Sequence, residues 1–328
     1  MTGPRVVVTG GSGFIGRHLV RSLVSAGAEV SVFDSAEPTG DSAEAGVRYL
    51  TGDIRNPEQV SRAITEGVDV VYHLAAVVGV DQYLARPLDV IDINFSGART
   101  VLEQASEVGA KVVLASTSEV FGKNPAVPWA EDGDRVLGPT TADRWAYSSS
   151  KALTEHLTFG FVRQRGLRAT IVRYFNVYGP GQRPAYVVSR SIHRALNGHP
   201  PVVYDRGGQT RCFTYVADAV RGTILAGSSD AANGKAFNLG STRESTVGEV
   251  VELVTKLTGL GDPAVEVDTR AALGPAYEDL DRRVPDTTRA QEVLGWTCET
   301  DLADGLALTI DWARAHPAWL ALPDTGAA

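Results

Sequence analysis

The sequence predicts an α/β protein built on a doubly wound parallel sheet, followed by a smaller α/β lobe. Short β-branched runs alternate with amphipathic stretches through the first half of the chain, which is typical of βαβ units. Apolar runs such as residues 68–72 are typical of strands that helices cover on both faces. A glycine-rich segment at residues 9–16 joins the first run to the first amphipathic stretch. Together these patterns indicate a sheet of Rossmann type.

Six elements of the first half follow from this alternation. In chain order they are a strand at 5–9, a helix at 16–26, strands at 29–34 and 68–73, a helix at 94–108 and a strand at 111–116.

The pattern changes after Tyr174, where glycine and proline at 179–184 and 199–201 separate shorter elements. We therefore predict a change of domain at this point. The predicted organisation is a first domain at 1–175 to which 213–240 return, a second lobe at 176–212 and 241–322, and a tail at 323–328.

Composition excludes several classes of function. The 328 residues carry a net charge of −8, and so acidic a chain lacks the clustered lysine and arginine that nucleic-acid binding needs. The sequence contains no run of roughly 18 apolar residues, so no membrane span is predicted. The first residues lack the apolar core of a signal peptide. Cys212 and Cys298 suit a reducing compartment, and the six histidines are scattered, which predicts no metal site. We expect a soluble, cytoplasmic protein.

The glycine-rich segment predicts a dinucleotide site. Gly10, Gly13 and Gly16 lie three residues apart between a strand and a helix, where backbone N–H groups can approach a pyrophosphate. Asp34 closes the next predicted strand, at the spacing typical of an acid that binds ribose hydroxyls. Because a carboxylate there repels a 2′-phosphate, the pattern favours NAD over NADP.

Two further segments permit a plain structural interpretation. Asp53 either lines the ligand site or caps the helix that follows Pro57. The segment 73–76 either lines the same site or packs small residues at a strand end.

Tyr147 and Lys151 form a candidate catalytic pair. Four residues apart, they lie on one face of a helix, and a nearby ammonium favours the phenolate form of a tyrosine. An exposed helical pair is the alternative interpretation. The dinucleotide loop, together with the hydroxyl residues at 116–118, favours Tyr147 as a proton acceptor for a substrate hydroxyl.

With these motifs the chain resembles the extended short-chain dehydrogenase/reductase family, specifically its nucleotide-sugar epimerases, dehydratases and decarboxylases. The resemblance runs from about Arg5 to Trp312. The matching motifs are the glycine loop, Gly52-Asp53, His73-Leu-Ala-Ala76, Asn94, Ser116-Thr-Ser118, Tyr147 to Lys151, and Arg173-Tyr-Phe-Asn-Val-Tyr-Gly-Pro180.

The resemblance implies a shared chemistry at C4 of the sugar. Thr117 would hydrogen-bond the reacting oxygen, Tyr147 would take its proton, and Lys151 would also hold the nicotinamide ribose. The implied NAD contacts are Gly10, Gly13, Phe14, Ile15, Gly16, Asp34, Asp53, Ile54, Leu74, Ala75, Ala76, Asn94, Tyr147, Lys151, Tyr174, Asn176 and Val177.

The resemblance also implies contacts to the nucleotide sugar. Asn176, Arg183, Arg211 and Tyr215 fall where family members hold the nucleotide and diphosphate, and an arginine fork suits a diphosphate. A surface charge is the alternative for Arg183.

Residues 118–119 favour one reaction over the others. In the resembling 4,6-dehydratases an aspartate stands at the position of Ser118, and simple 4-epimerases generally lack a carboxylate at the position of Glu119. The segment Thr-Ser-Glu is similar to UDP-glucuronate decarboxylases, as is Arg144-Trp-Ala-Tyr147. In those decarboxylases an arginine reaches the region of the C6 carboxylate. Arg283 is the residue that aligns with it, and Arg282 is a close second. A surface ion pair is the alternative role for Arg283.

The sequence therefore favours decarboxylation of UDP-glucuronate to a UDP-4-keto-pentose or UDP-xylose. A 4-epimerase of UDP-glucuronate or UDP-glucose, a 4,6-dehydratase and a non-catalytic dinucleotide-sensing protein are the alternatives. Phe121 and the loop 181–184 depart from the best-known UDP-xylose synthases, and the loop resembles that of epimerases and dehydratases of nucleoside or antibiotic sugar pathways. The family resemblance also implies a homodimer through helices 94–108 and 146–161.

Overall fold

The fold is described from a computed structural model. It describes residues 3–38, 43–79, 82, 85–268 and 280–324. The strands are β1 (Arg5–Thr9), β2 (Glu29–Asp34), β3 (Arg48–Thr51), β4 (Val70–His73), β5 (Lys111–Thr117), β6 (Ala169–Tyr174), β7 (Val177–Tyr178), β8 (Val202–Tyr204), β9 (Thr210–Cys212), β10 (Thr214–Tyr215), β11 (Lys235–Leu239), β12 (Glu244–Thr246), β13 (Val265–Val267) and β14 (Arg282–Arg283).

The α-helices lie mainly between these strands. They are α1 (Phe14–Ser25), α2 (Pro57–Ala63), α3 (Pro87–Asp92), α4 (Ala98–Val108), α5 (Arg144–Arg165), α6 (Val187–Leu196), α7 (Val216–Ser228), α8 (Val247–Thr258), α9 (Thr288–Leu294), α10 (Leu302–Arg314) and α11 (Pro317–Leu320). No helix among the described residues is long and apolar enough to cross a lipid bilayer.

Seven parallel strands form the main sheet, in the order β11-β6-β5-β4-β1-β2-β3. In β1, Val7 lies opposite Ser31 of β2 and Val71 of β4. The strand order reverses at β1, and ligands bind at the carboxyl edge of such a sheet near that reversal. The predicted Rossmann-type fold is confirmed.

Helices cover both faces of this sheet. On one face Leu19 and Val220 pack in the core cluster that contains α1 and α7, and on the other face Val101 and Leu102 of α4 are buried. Residues 6–8 of β1 are buried on both sides. This explains the unbroken apolar runs of the strands.

One predicted helix divides into two parts. Ile93–Gly97 form a π-helical turn before α4. The wider turn places Asn94 so that its Nδ2 donates to the hydroxyl of Ser150 on α5 at 3.2 Å. Such turns are frequent at functional sites.

A smaller lobe contributes to the same edge of the sheet. Strand β9 pairs with β12 and with β14, and α6, α8 and α10 pack around a second apolar cluster. Residues 235–239 pair with β6 in the main sheet as β11. The domain boundaries stay a prediction, and residues 269–279 and 325–328 lie outside the described part of the chain.

Candidate active site

A large cavity opens at the carboxyl edge of the sheet, between the sheet and the smaller lobe. Its volume is about 1920 Å³. Sites for one small ligand typically enclose about 300–1,000 Å³. The cavity therefore has room for two ligands of this size, a cofactor and a substrate.

The glycine loop needs its glycines for close approach. Gly10 has a φ of +73°, and a Cβ there would lie 2.6 Å from the amide nitrogen of Ala75. A Cβ on Gly16 would lie 2.2 Å from the carbonyl oxygen of Gly10. The loop thus packs against the residue that follows β4 by two positions and against the start of α1, and residues 13–16 line the cavity. The first N–H groups of a helix have no partner inside the helix and can bind an anion.

Asp34 lies at the end of β2 on the same side. Its carboxylate accepts hydrogen bonds from the backbone N–H groups of Ser12 (2.9 Å) and Ala36 (3.2 Å) and lines the cavity. A carboxylate fixed in this way has capacity left for ribose hydroxyls. The loop and this acid together fit a dinucleotide.

Asp53 does not cap α2. The N-cap is Asn56, which accepts from Gln59. Asp53 pairs instead with Arg55 at 2.6 Å, lines the cavity, and has a pKa lowered first of all by its hydrogen bond with that arginine. The alternative role of Asp53 as a helix cap was therefore wrong.

Most residues expected to contact NAD line this cavity. They are Gly10, Gly13, Phe14, Ile15, Gly16, Asp34, Asp53, Ile54, Leu74, Ala75, Ala76, Tyr147, Lys151, Tyr174, Asn176 and Val177. Asn94 lies behind the wall, where its side chain bonds both backbone groups of Val77. Its position supports the wall, and its direct contact with NAD stays a prediction.

Thr117, Tyr147 and Lys151 meet where β5 ends against α5. Desolvation is the main cause that raises the pKa of Tyr147, and the charge of Glu119 adds to it, while a hydrogen bond with Thr117 opposes both. Lys151 donates to the carbonyl of Ala115 at 3.0 Å. The structure differs here from the expectation of a phenolate favoured by Lys151, because burial dominates the pKa of the phenol and a backbone carbonyl binds the ammonium.

A buried ion pair lies directly behind Lys151. Burial lowers the pKa of Lys151 to about 8, and the charge of Glu155, one turn further along α5, opposes this. Glu155 accepts two hydrogen bonds from Arg173 of β6, at 2.9 and 2.6 Å, and one from Ser116 of β5 at 2.5 Å. These bonds fix β5, β6 and α5 in one arrangement under the candidate catalytic groups.

Glu119 forms an ion pair with Arg283 inside the cavity. Arg283 Nη1 lies 3.1 Å from Glu119 Oε1, and the hydroxyl of Ser148 donates to Glu119 Oε2 at 3.5 Å. Arg282 precedes it in β14 but lies on the outer side, where it pairs with Glu244 at 2.7 Å. Because successive side chains of a strand alternate, only Arg283 reaches the site.

The expected substrate contacts divide into two groups. Asn176 and Arg183 line the cavity with Arg283. Arg211 donates to the backbone carbonyls of Thr210 and Leu280, at 2.8 and 2.7 Å, and does not line the cavity as described.

Tyr215 packs edge to face on Tyr178, with ring centroids 5.8 Å apart, and also lies outside the cavity lining. The roles of Tyr215 and of all the other expected substrate contacts stay predictions.

Sequence reasoning missed Tyr186. It precedes α6, lines the cavity, and is the third cause that raises the pKa of Tyr147. Arg183 lies over its ring at 5.5 Å. A lone tyrosine in a proline-containing loop gives no motif, so only the packing of the two lobes identifies it.

Among the residues that the structure describes, no group of three or more histidine, cysteine or acidic side chains is placed to hold a metal ion.

Comparisons with known proteins agree with this geometry. Residues 6–240 match the NAD dependent epimerase/dehydratase family. The chain is 38% identical over 322 residues to a UDP-N-acetyl-alpha-D-glucosaminuronate decarboxylase of Bacillus cytotoxicus, which covers 94% of this chain and 98% of that protein. It is 33% identical to UDP-glucuronic acid decarboxylase 1 of Xenopus tropicalis, over 94% of this chain and 72% of the relative.

A solved structure, described as MoeE5 in complex with UDP-glucuronic acid and NAD, is also similar. It superposes with a TM-score of 0.83 at 32% identity and covers 95% of this chain and 99% of its own.

His73 gives this site a pH-dependent stability. It is buried at the end of β4, and its Nδ1 lies 2.7 Å from the hydroxyl of Thr9, which in turn accepts from the N–H of Ala75. Desolvation, followed by the charge of Lys151, lowers the pKa of His73 from 6.5 to about 3. The contribution of His73 to the stability of the folded state is therefore fully present above the pKa that His73 has in the unfolded chain. It is lost as the pH falls toward the pKa of the folded state, because over this range only the unfolded chain takes up the proton.

We predict that the free energy of unfolding of the wild type falls by about 2 kcal/mol more than that of His73→Asn between about pH 7.5 and about pH 5. Urea unfolding at the two pH values measures this difference. His156→Asn, at an exposed histidine, is the control and should behave as the wild type. Equal losses in the wild type and His73→Asn would contradict the interpretation.

Proposed function

We propose that this chain, which belongs to the NAD-dependent epimerase/dehydratase family, decarboxylates a UDP-linked uronic acid through a 4-keto intermediate. Family membership confirms the resemblance to extended short-chain dehydrogenases/reductases and makes the protein an NAD-dependent nucleotide-sugar enzyme. The observation that carries the proposed reaction is the ion pair of Glu119 with Arg283 beside Thr117 and Tyr147.

The first half of the proposed reaction takes place at C4. When bound, NAD would supply the acceptor for the hydride on this carbon and the positive charge of its nicotinamide ring. Thr117 holds the C4 hydroxyl, and Tyr147 accepts its proton as the carbonyl forms. Because burial raises the pKa of Tyr147, the positive charge that the cofactor would bring into the cavity would favour this proton transfer at neutral pH.

The second half takes place at C5 and C6. A ketone at C4 makes the sugar a β-keto acid, so the C5–C6 bond can break, carbon dioxide leaves, and its bonding electrons pass into the ketone as an enolate. Arg283 is placed to hold the C6 carboxylate before it leaves. Glu119 lies between Arg283 and Ser148. When the substrate carboxylate replaces it on Arg283, Glu119 can take up a proton from solvent and then deliver that proton to C5.

The same site disfavours the other reactions. Ser118 is buried at 2% exposure and carries no acid, so loss of water from C6 lacks its usual proton donor. A 4-epimerase, the second candidate, needs no arginine–carboxylate pair at C6 when its substrate is neutral. An acidic substrate makes the pair useful to an epimerase as well, so the measured product has to decide.

Substitution Glu119→Gln tests the reaction directly. The amide keeps the shape of the side chain but cannot deliver the proton as an acid, so we expect carbon dioxide release to fall by about 10²-fold or more. The reduction of bound NAD, measured by its ultraviolet absorbance, should persist because Thr117 and Tyr147 are intact. The assay uses UDP-glucuronate and UDP-N-acetyl-alpha-D-glucosaminuronate, which differ at C2. Glu244→Gln, at a surface carboxylate, is the control.

The product identifies the correct alternative. Clean conversion of UDP-glucuronate to UDP-galacturonate without carbon dioxide would establish a 4-epimerase. A 4-keto-6-deoxy sugar from a neutral nucleotide hexose would establish a 4,6-dehydratase. A dinucleotide-sensing protein would show neither product, and Tyr147→Phe would leave its NAD binding and its cellular role unchanged.

Arg283 and Arg282 form a matched pair for a test of specificity. Since only Arg283 faces the cavity, we expect Arg283→Ala to lower kcat/KM for the uronate by about 10²-fold. The binding constant of UDP-glucose, which has no carboxylate, should change little. Arg282→Ala removes an exposed ion pair and should stay within about twofold of the wild type. Equal effects of the two substitutions would contradict the proposed role of Arg283.

We further propose a homodimer in the cytoplasm. Leu153 of α5, one of the two helices of the expected interface, is 49% exposed. Leu88 and Ile91 of α3, which contacts α5, are 80% and 46% exposed, so apolar side chains lie next to that interface as well. Both cysteines are free thiols, which suits a reducing compartment.

The homodimer predicts that Leu153→Glu will give a monomer by light scattering, because a charge would be buried at the contact. Leu308→Glu, at a 52% exposed leucine of α10, is the control and should not change the mass. A wild-type monomer, or a dimer that survives Leu153→Glu, would contradict this interface.

A further inference from the structure

Arg17 bridges two loops at the mouth of the cofactor cavity. It lies in the first turn of α1, and its Nε donates to the carbonyl of Gly13 at 3.4 Å. Its Nη2 donates to the carbonyl of Gly181 at 3.1 Å, on the opposite wall. The side chain also lines the cavity. The guanidinium is thus fixed beside the glycine loop, at the N-terminal end of the helix.

The charge of Arg17 is not neutralised by the protein. In the part of the chain that the structure describes, no ion pair joins Arg17 to a carboxylate, whereas Arg21, one turn further along α1, pairs with Glu44 at 2.6 Å. Among the described residues, the hydrogen-bond partners of Arg17 are the backbone carbonyls of Gly13 and Gly181. Partial burial, followed by the charge of Arg21, lowers the pKa of Arg17, in agreement with the absence of a paired carboxylate among the described residues. A bound anion would supply it.

Gly181 makes room for this arginine. It has a φ of +77°, and a Cβ there would lie 2.7 Å from Arg17 Nη1. The positive φ favours glycine at this position, and a side chain there would displace the guanidinium from its present place. The planar fork of an arginine matches the oxygens of a phosphate group.

The pyrophosphate of NAD is the anion whose position fits. Asp34 marks the adenosine end of the cavity and Lys151 the nicotinamide end, so the pyrophosphate between them must pass the glycine loop. The N–H groups and dipole of α1 favour negative charge at the same place. We propose that Arg17 is a cofactor-binding residue that contacts the NAD pyrophosphate and, through Gly181, holds the loop 179–183 over it.

Calorimetric titration of the full chain with fragments of the cofactor tests this role. For Arg17→Ala we expect the Kd of ADP-ribose to rise about 10-fold or more, since a charge-assisted hydrogen bond is lost. The Kd of adenosine, which lacks phosphate, should stay within about twofold. Arg17→Lys, which keeps the charge without the fork, should fall between the wild type and Arg17→Ala. Arg21→Ala is the control and should leave both ligands unaffected.

The competing interpretations give different results. Unchanged binding of ADP-ribose by Arg17→Ala would overturn the proposal. So would equal weakening of ADP-ribose and adenosine, which would indicate that Arg17 only holds the loop in place. Weakened binding of UDP with normal binding of ADP-ribose would assign Arg17 to the substrate instead. None of these outcomes depends on whether the enzyme releases carbon dioxide.

Discussion

The buried ion pair of Glu155 and Arg173 is the interaction on which the arrangement of the site depends. Both side chains are almost fully buried, at 6% and 7% exposure, and Ser116 donates a third hydrogen bond to the carboxylate. Removing one partner of such a pair typically costs about 3–5 kcal/mol, because the other charge stays buried. The pair and Ser116 join α5, which carries Lys151, to β6 and to β5, which carries Thr117.

The same network continues from the sheet to the smaller lobe. Arg173 also donates to the carbonyl of Glu131 at 2.7 Å, and the Glu131 carboxylate accepts from the N–H of Asn238 at 2.9 Å. The amide of Asn238 then donates to the carbonyls of Trp129 and Asp286 at 2.8 and 3.0 Å. Residue 286 lies three positions after Arg283. The groups expected to act at C4 and those expected to act at C6 are therefore held by one set of buried hydrogen bonds.

Charges in this cavity are arranged according to the ligand that each would meet. Asp34 stands where hydroxyls are expected, and Arg17 stands where a pyrophosphate is expected. Glu119 and Arg283 lie together at the place where the C6 carboxylate of the substrate is expected to bind and from which it is expected to leave as carbon dioxide. The two charges of such a pair balance each other before the substrate binds, and the arginine becomes available when the substrate carboxylate competes for it. The proposed reaction explains why both charges are present.

The sequence by itself determined the parallel sheet, the glycine loop, Asp34 and the pair Tyr147 and Lys151, because local periodicity and short spacings encode these features. It did not determine that Asn56 rather than Asp53 caps α2, which depends on the course of one turn. Only the tertiary structure placed Arg283 inside and Arg282 outside, added Arg17 and Tyr186 to the cavity, and left Arg211 and Tyr215 outside its described lining. These contacts join residues distant in the chain, and no local pattern records which face of a short strand or loop will meet another lobe.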